Sequence, residues 1–87
     1  MSLELRDTVD GMLSDDYKER FVAEAAQLKI RIEKLDRVIE GYGDESLGFV
    51  PETPFPILSA QYHAMLAYMD VLVARSAIEG IDISHLF

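Results

Sequence analysis

Seven apolar positions, Phe21, Ala25, Leu28, Ile32, Leu35, Ile39 and Tyr42, recur at alternating steps of four and three. That spacing keeps one face of a helix in register over about six turns, and the face needs another helix to cover it. The flanks agree with a long helix. Ser14 suits an N-cap, and Asp15 and Asp16 then fall in the first turn, where the helix dipole favours negative charge. Asp16–Arg20, Lys29–Glu33 and Glu33–Arg37 stand at i, i+4 and support the exposed faces. Gly41 and Gly43 stop the pattern, Gly41 as a left-handed terminator. The helix is expected over about 15–40.

The covering partner lies downstream. Leu58, Tyr62, Met65, Met69, Leu72 and Ser76 repeat the four–three rhythm, and Leu66 and Val73 broaden the stripe. Pro54 and Pro56 suit the start of this helix, and Gly80 ends it. Its span is about 56–79, and Gln61, Tyr68 and Arg75 recur every seven residues along its flank. The connection, 41–55, is long for a helical hairpin, and its Leu47, Phe49, Val50 and Phe55 are expected to tuck onto the helices. Upstream, Ser2 is a plausible cap for a short amphipathic helix, about 3–12, carried by Leu5, Val9 and Met12. It is too short to stand alone and must dock. The fold class is all-α: a short N-terminal helix plus a long antiparallel hairpin, in one domain over 1–87.

Two features exceed what one hairpin covers. Val22, Ala26 and Ile30 form a second apolar line on the long helix. It reads as a subunit interface, as ordinary apolar surface residues, or as a line covered by the short first helix. The tail, Ile81 to Phe87, alternates apolar and polar residues. It reads as a short strand, as cover for a neighbouring subunit, or as a disordered end. A chain of 87 residues buries a modest core, and without cysteine no disulfide supplements it, so self-association is the expected further source of stability.

Charge narrows the function. The net charge is −8, which argues against duplex nucleic acid. The distribution is uneven: −4 over 1–16, +2 over 17–37 and −6 over 38–87. The middle segment alone is positive. No secretory pattern opens the chain, and no segment is read as a membrane span, so a soluble intracellular protein is expected. His63 and His85 are too far apart for a metal-ligand pattern, no glycine-rich phosphate loop occurs, and no nucleophile–base set is apparent. The expectation is a non-enzyme without cofactor or metal. Arg20, Gln27, Arg31 and Lys34 lie roughly along one face of the long helix, with Lys18 and Lys29 elsewhere. On one helix this is a solvated face. In a symmetric oligomer the same bases can clamp a phosphate, with Tyr17 or Tyr68 stacking on a base.

Two stretches carry a family resemblance. One runs from Leu13-Ser14-Asp15-Asp16-Tyr17 through Arg20 and Gln27-Leu28 to Arg31 and Leu35. The other runs from Leu58 through Gln61, Met65, Tyr68 and Leu72 to Arg75 and on to Ile81. Together they resemble small helical proteins of tailed phages and prophages, and are similar to the hairpin of phage anti-CBASS sponges, shared with some anti-Thoeris sponges. The resemblance implies a homo-oligomer, often a hexamer, in the host bacterial cytoplasm. It would bind and sequester a cyclic oligonucleotide, such as cyclic GMP-AMP or cyclic tri-AMP, without degrading it. The positions it suggests for ligand binding are Tyr17, Lys18, Lys29, Arg31, Tyr68 and Arg75. The alternative is an oligomeric helical protein–protein interaction module, with its acidic surface as a possible mimic of nucleic acid.

Overall fold

A carboxylate, not the expected hydroxyl, starts the long helix. The computed structural model describes residues 3–87, apart from the Glu45 side chain. The expected cap Ser2 lies outside the described residues. Among these, three α-helices form: α1 (Val9–Met12), α2 (Tyr17–Glu40) and α3 (Phe55–Glu79). Asp16 caps α2 by accepting from the Lys18 amide at 2.9 Å. Ser14 stands one step back. Its hydroxyl accepts from the Asp16 amide at 3.0 Å and donates to Glu19 at 2.5 Å, so it shapes the approach to the helix instead of capping it. The helix therefore begins two residues later than its sequence suggests.

Its other end also differs in detail. Gly41 has φ −90°, and the left-handed turn falls to Gly43 at φ 79°. At the end of α3 the expectation holds: Gly80 adopts φ 69°, ψ 33°, and the Ile81 amide bonds back to the Ser76 carbonyl at 2.9 Å. Pro54 precedes α3 and Pro56 sits in its first turn, where a missing amide hydrogen costs no bond.

The two long helices pack side by side. Phe21, Ala25 and Leu28 of α2 meet Met69 and Leu72 of α3, with Ile32 and Met65 against them. Phe21 and Leu72 are fully buried. The stripe read from the sequence is thus the core, but its depth is uneven. Leu35, Ile39 and Tyr42 at the loop end are half-buried, as are Leu58 and Tyr62, and Leu66 and Val73 are exposed. In the loop, Leu47 is half-buried, and Tyr42 meets Phe55 edge to face at 5.4 Å. Phe49, Val50 and Phe55, expected to tuck in, are exposed.

Both ends of the chain fold onto the other side of α2. Leu5–Thr8 forms a 3₁₀ turn that runs into α1, so the expected helix over 3–12 is a 3₁₀ turn followed by a single α turn. Gly11 makes the approach possible: a Cβ there would lie 2.8 Å from the Ala23 Cβ. The tail is neither a strand nor a disordered end. Ile81 and Ile83 are buried in the same core as Phe21, and Ser84–Leu86 forms a 3₁₀ turn beside α2. Ala26 and Ile30 are accordingly buried within the single chain, each 5% exposed, and Leu3, His85 and Leu86 line the same hollow as both. Ala26 and Ile30 of the second apolar line are thus covered by the chain's own ends without a neighbouring subunit, while Val22 is half-buried.

The membrane expectation changes in one respect. By length and composition, α3 is long and apolar enough to cross a bilayer.

Candidate functional site

The antiparallel pairing brings the first turn of α2 against the last turns of α3. Tyr17, the first residue of α2, reaches across to Arg75 and Glu79. Its hydroxyl donates to Glu79 Oε1 at 2.7 Å and accepts from Arg75 Nη2 at 2.6 Å. Arg75 Nε donates to Glu79 Oε2 at 3.0 Å, which closes the triangle. The guanidinium also lies over the Phe21 ring, 5.0 Å from its centroid, in a cation–π contact. Tyr17 and Phe21 are themselves tilted neighbours at 6.4 Å. An arginine held by an aromatic face, a phenol and a carboxylate is an oriented donor set on the surface.

The electrostatics follow from those bonds. Glu79 is held below the usual carboxylate range, first by the Tyr17 hydroxyl and then by Arg75. Tyr17 is pushed above the usual phenol value, chiefly because ionisation would forfeit its bond to Glu79. Arg75 is raised by the same carboxylate. At neutral pH the cluster therefore holds one anion, one cation and one neutral phenol.

Between the N-terminal segment and the tail lies an open cleft of about 510 Å³, lined by Lys18 and Gly80 but by none of the three cluster residues. Val22, Ala26, Ile81 and Leu86 give it apolar walls, while Lys18 and His85 contribute basic groups and Asp7, Glu19 and Asp82 carboxylates. Asp82 is held below the usual range by the hydroxyl and amide of Ser84.

The six sequence-derived positions do not all meet. Tyr17 and Arg75 are in contact, and Lys18 is the next residue along, lining the cleft. Tyr68 lies two turns further up α3, where its hydroxyl bonds to Glu24. Lys29 pairs with Glu33, as its spacing suggested, and lines a smaller hollow of about 340 Å³ with Ile30 and Leu86. Arg31 is exposed on α2. Of the other expected pairs, Arg20 turns back to the Ser14 carbonyl at 2.7 Å instead of meeting Asp16.

Glu79 and Phe21 were not singled out as site residues. The i, i+4 spacing of Arg75 and Glu79 was visible and would have found one of these contacts. The Tyr17–Glu79 bond joins residues 62 apart, and no local pattern shows it.

Among the described residues, no group of three or more His, Cys, Asp or Glu side chains is placed to hold a metal ion. No curated protein and no solved structure matches the chain. A protein-family model described as Sequestin matches residues 15–78, which takes in both long helices and the loop between them. On that match, the chain belongs to the Sequestin family.

Proposed function

We propose that this protein is a sequestering protein, not an enzyme, and that its ligand is a cyclic di- or trinucleotide bound without degradation. The family's name denotes sequestration, and the resemblance to phage sponges points to the same activity. The observation that carries the reading is the surface guanidinium of Arg75, oriented by Tyr17 and Glu79. A phosphate matches a guanidinium fork as well as a carboxylate does. An incoming phosphodiester replaces Glu79 on Arg75, and the Tyr17 ring beside the guanidinium offers a face on which a base stacks. Lys29, Arg31 and Tyr68 lie further along the hairpin, Lys29 about 18 Å from Tyr17 at 1.5 Å per residue. In a homo-oligomer they contact a ligand shared between copies. The site of action on this reading is the cytoplasm of the host bacterium.

The net charge of −8 opposes a polyanion at long range. Screening at physiological salt confines that repulsion to roughly 8–10 Å, so the groups immediately around Arg75 decide the encounter. The test is calorimetric titration of the purified protein against cyclic di- and trinucleotides, followed by heating and recovery of the ligand. Binding at micromolar ligand or tighter, with intact ligand recovered, is the expected result. No heat with any member of the panel would remove the proposal, and recovery of a linear product would show an enzyme. A protein–protein interaction module is the second reading, favoured by the uncovered apolar face of α3.

A further inference from the structure

Glu79 engages both donors of the cluster at once. Its Oε2 accepts from Arg75 Nε at 3.0 Å and its Oε1 from the Tyr17 hydroxyl at 2.7 Å. One carboxylate therefore bridges the two helices, with Tyr17 opening α2 and Arg75 one turn before Glu79 on α3. It is a two-oxygen fork carrying one negative charge. The two non-bridging oxygens of a phosphodiester make a fork of the same charge, and a guanidinium binds either. Glu79 thus stands in the place that the ligand's phosphate takes.

We propose that Glu79 sets the specificity of the site: it is a built-in competitor that a phosphodiester displaces more readily than a terminal phosphate does. The proposal rests on the sequestration reading above and names what that site selects, the closed cyclic nucleotide over linear nucleotides. The tether is the first support. Arg75 and Glu79 stand at i, i+4 on one helix, where Cβ atoms are about 5–6 Å apart. Their side chains are 42% and 31% exposed, so the carboxylate swings into water with no change in α3. Once displaced, it still stays within a few ångströms of whatever Arg75 holds.

Charge is the second support. Glu79 cancels Arg75, so the empty cluster is neutral. A phosphodiester brings one negative charge and replaces the carboxylate like for like. A terminal phosphate brings close to two at neutral pH. Each charge held about 4 Å from the displaced carboxylate weakens binding by about fivefold in water. The penalty therefore falls about twice as heavily, on a logarithmic scale, on the terminal phosphate. A cyclic nucleotide has only diesters, whereas its linear form ends in such a phosphate. Tyr17 supports the same choice, because its hydroxyl already donates to one oxygen of the fork while Arg75 donates to the other.

The test is titration calorimetry on the whole protein with cyclic GMP-AMP and cyclic tri-AMP, each beside its linear form carrying a terminal phosphate. Wild type, Glu79→Gln and Glu52→Gln are compared at one salt concentration, with circular dichroism confirming that each keeps its helix. Glu52 is exposed in the loop at the far end of the hairpin, so its change removes the same charge away from the site. Glu79→Gln is expected to tighten the cyclic probe by about fivefold and the linear one by more, so that the preference for the cyclic form shrinks by about two- to fivefold. Glu52→Gln is expected to match wild type. Cyclic affinity unchanged or weakened in Glu79→Gln would overturn the proposal, by making Glu79 only a holder of Arg75, and would leave the sequestration reading standing. An unaltered cyclic-to-linear preference would overturn it too, as would an equal gain in Glu52→Gln. Absence of binding in both wild type and Glu79→Gln would remove the proposal and the sequestration reading together.

Discussion

The two long helices are nearly equal in length, 24 residues in α2 and 25 in α3, yet they divide polarity and burial in opposite senses. α2 carries the net positive segment and is the more deeply buried. Phe21, Ala23, Ala25, Ala26, Leu28 and Ile30 are all inside, because α3 covers one side and the two chain ends cover another. α3 is the more apolar helix and buries only Met69, Leu72 and Ser76. Burial in this molecule is set by which surfaces the chain can fold back onto. Apolar content alone does not decide it. What α3 leaves bare is apolar surface, and what its last turns bring to the first turn of α2 is the Tyr17–Arg75–Glu79 cluster.

Truncations on the two helices test that division most strongly. Ile30→Ala on α2 is expected to cost about 2–4 kcal/mol, because the side chain is 5% exposed and its loss leaves a cavity. Ile57→Ala on α3, 59% exposed, is expected to stay within about 0.5 kcal/mol in dilute protein. Urea unfolding of both variants decides it, and equal losses would break the comparison. Gly11→Val comes next. Its side chain has to displace Ala23 or lift the N-terminal segment off α2, at about 1–3 kcal/mol. Amide exchange should then quicken over residues 5–12 and leave the exchange of α3 unchanged.

How the sequence foretold these regions follows the same line. The stripes of the hairpin were legible because helical spacing maps directly onto a face, and Phe21, Leu28, Met69 and Leu72 are where that spacing puts them. The Gly80 terminator was legible for the same local reason. The covering of Ala26 and Ile30 was not. It depends on where two chain ends settle, and neither end has a strong pattern of its own. The cap moved from Ser14 to Asp16 because both residue types serve, and the turn geometry chose between them. At the site, Tyr17 and Arg75 were both named, but their contact with each other and with Glu79 arises only from the antiparallel pairing.

Smaller effects sharpen the contrast. Asp16→Ala removes the α2 cap and is expected to cost about 1 kcal/mol by thermal unfolding. At the Tyr17–Arg75–Glu79 cluster the signs are fixed by the directions of the shifts. Glu79 titrates below the ordinary carboxylate value of about 4.3, so its contribution is present above that value and is lost as pH falls through its lower native value. Tyr17 titrates above the ordinary phenol value of about 10, so its contribution is present below that value and is lost as pH rises through the raised one. Ultraviolet titration should show late ionisation of Tyr17 that Glu79→Gln brings back toward the ordinary value. The least effect is expected from Lys29→Ala, which breaks a surface ion pair and should change stability by no more than about 0.5 kcal/mol.

The central claim is that charge gathered at the start of α2 and the end of α3 binds an anionic ligand. Its most direct measurement is the affinity for the best-binding cyclic dinucleotide in wild type, Arg75→Ala and Lys34→Ala, by titration calorimetry at one salt concentration. A loss of at least about 10-fold is predicted for Arg75→Ala, as for removal of a charge-assisted bond, with Lys34→Ala close to wild type. Equal affinities for wild type and Arg75→Ala would contradict the account.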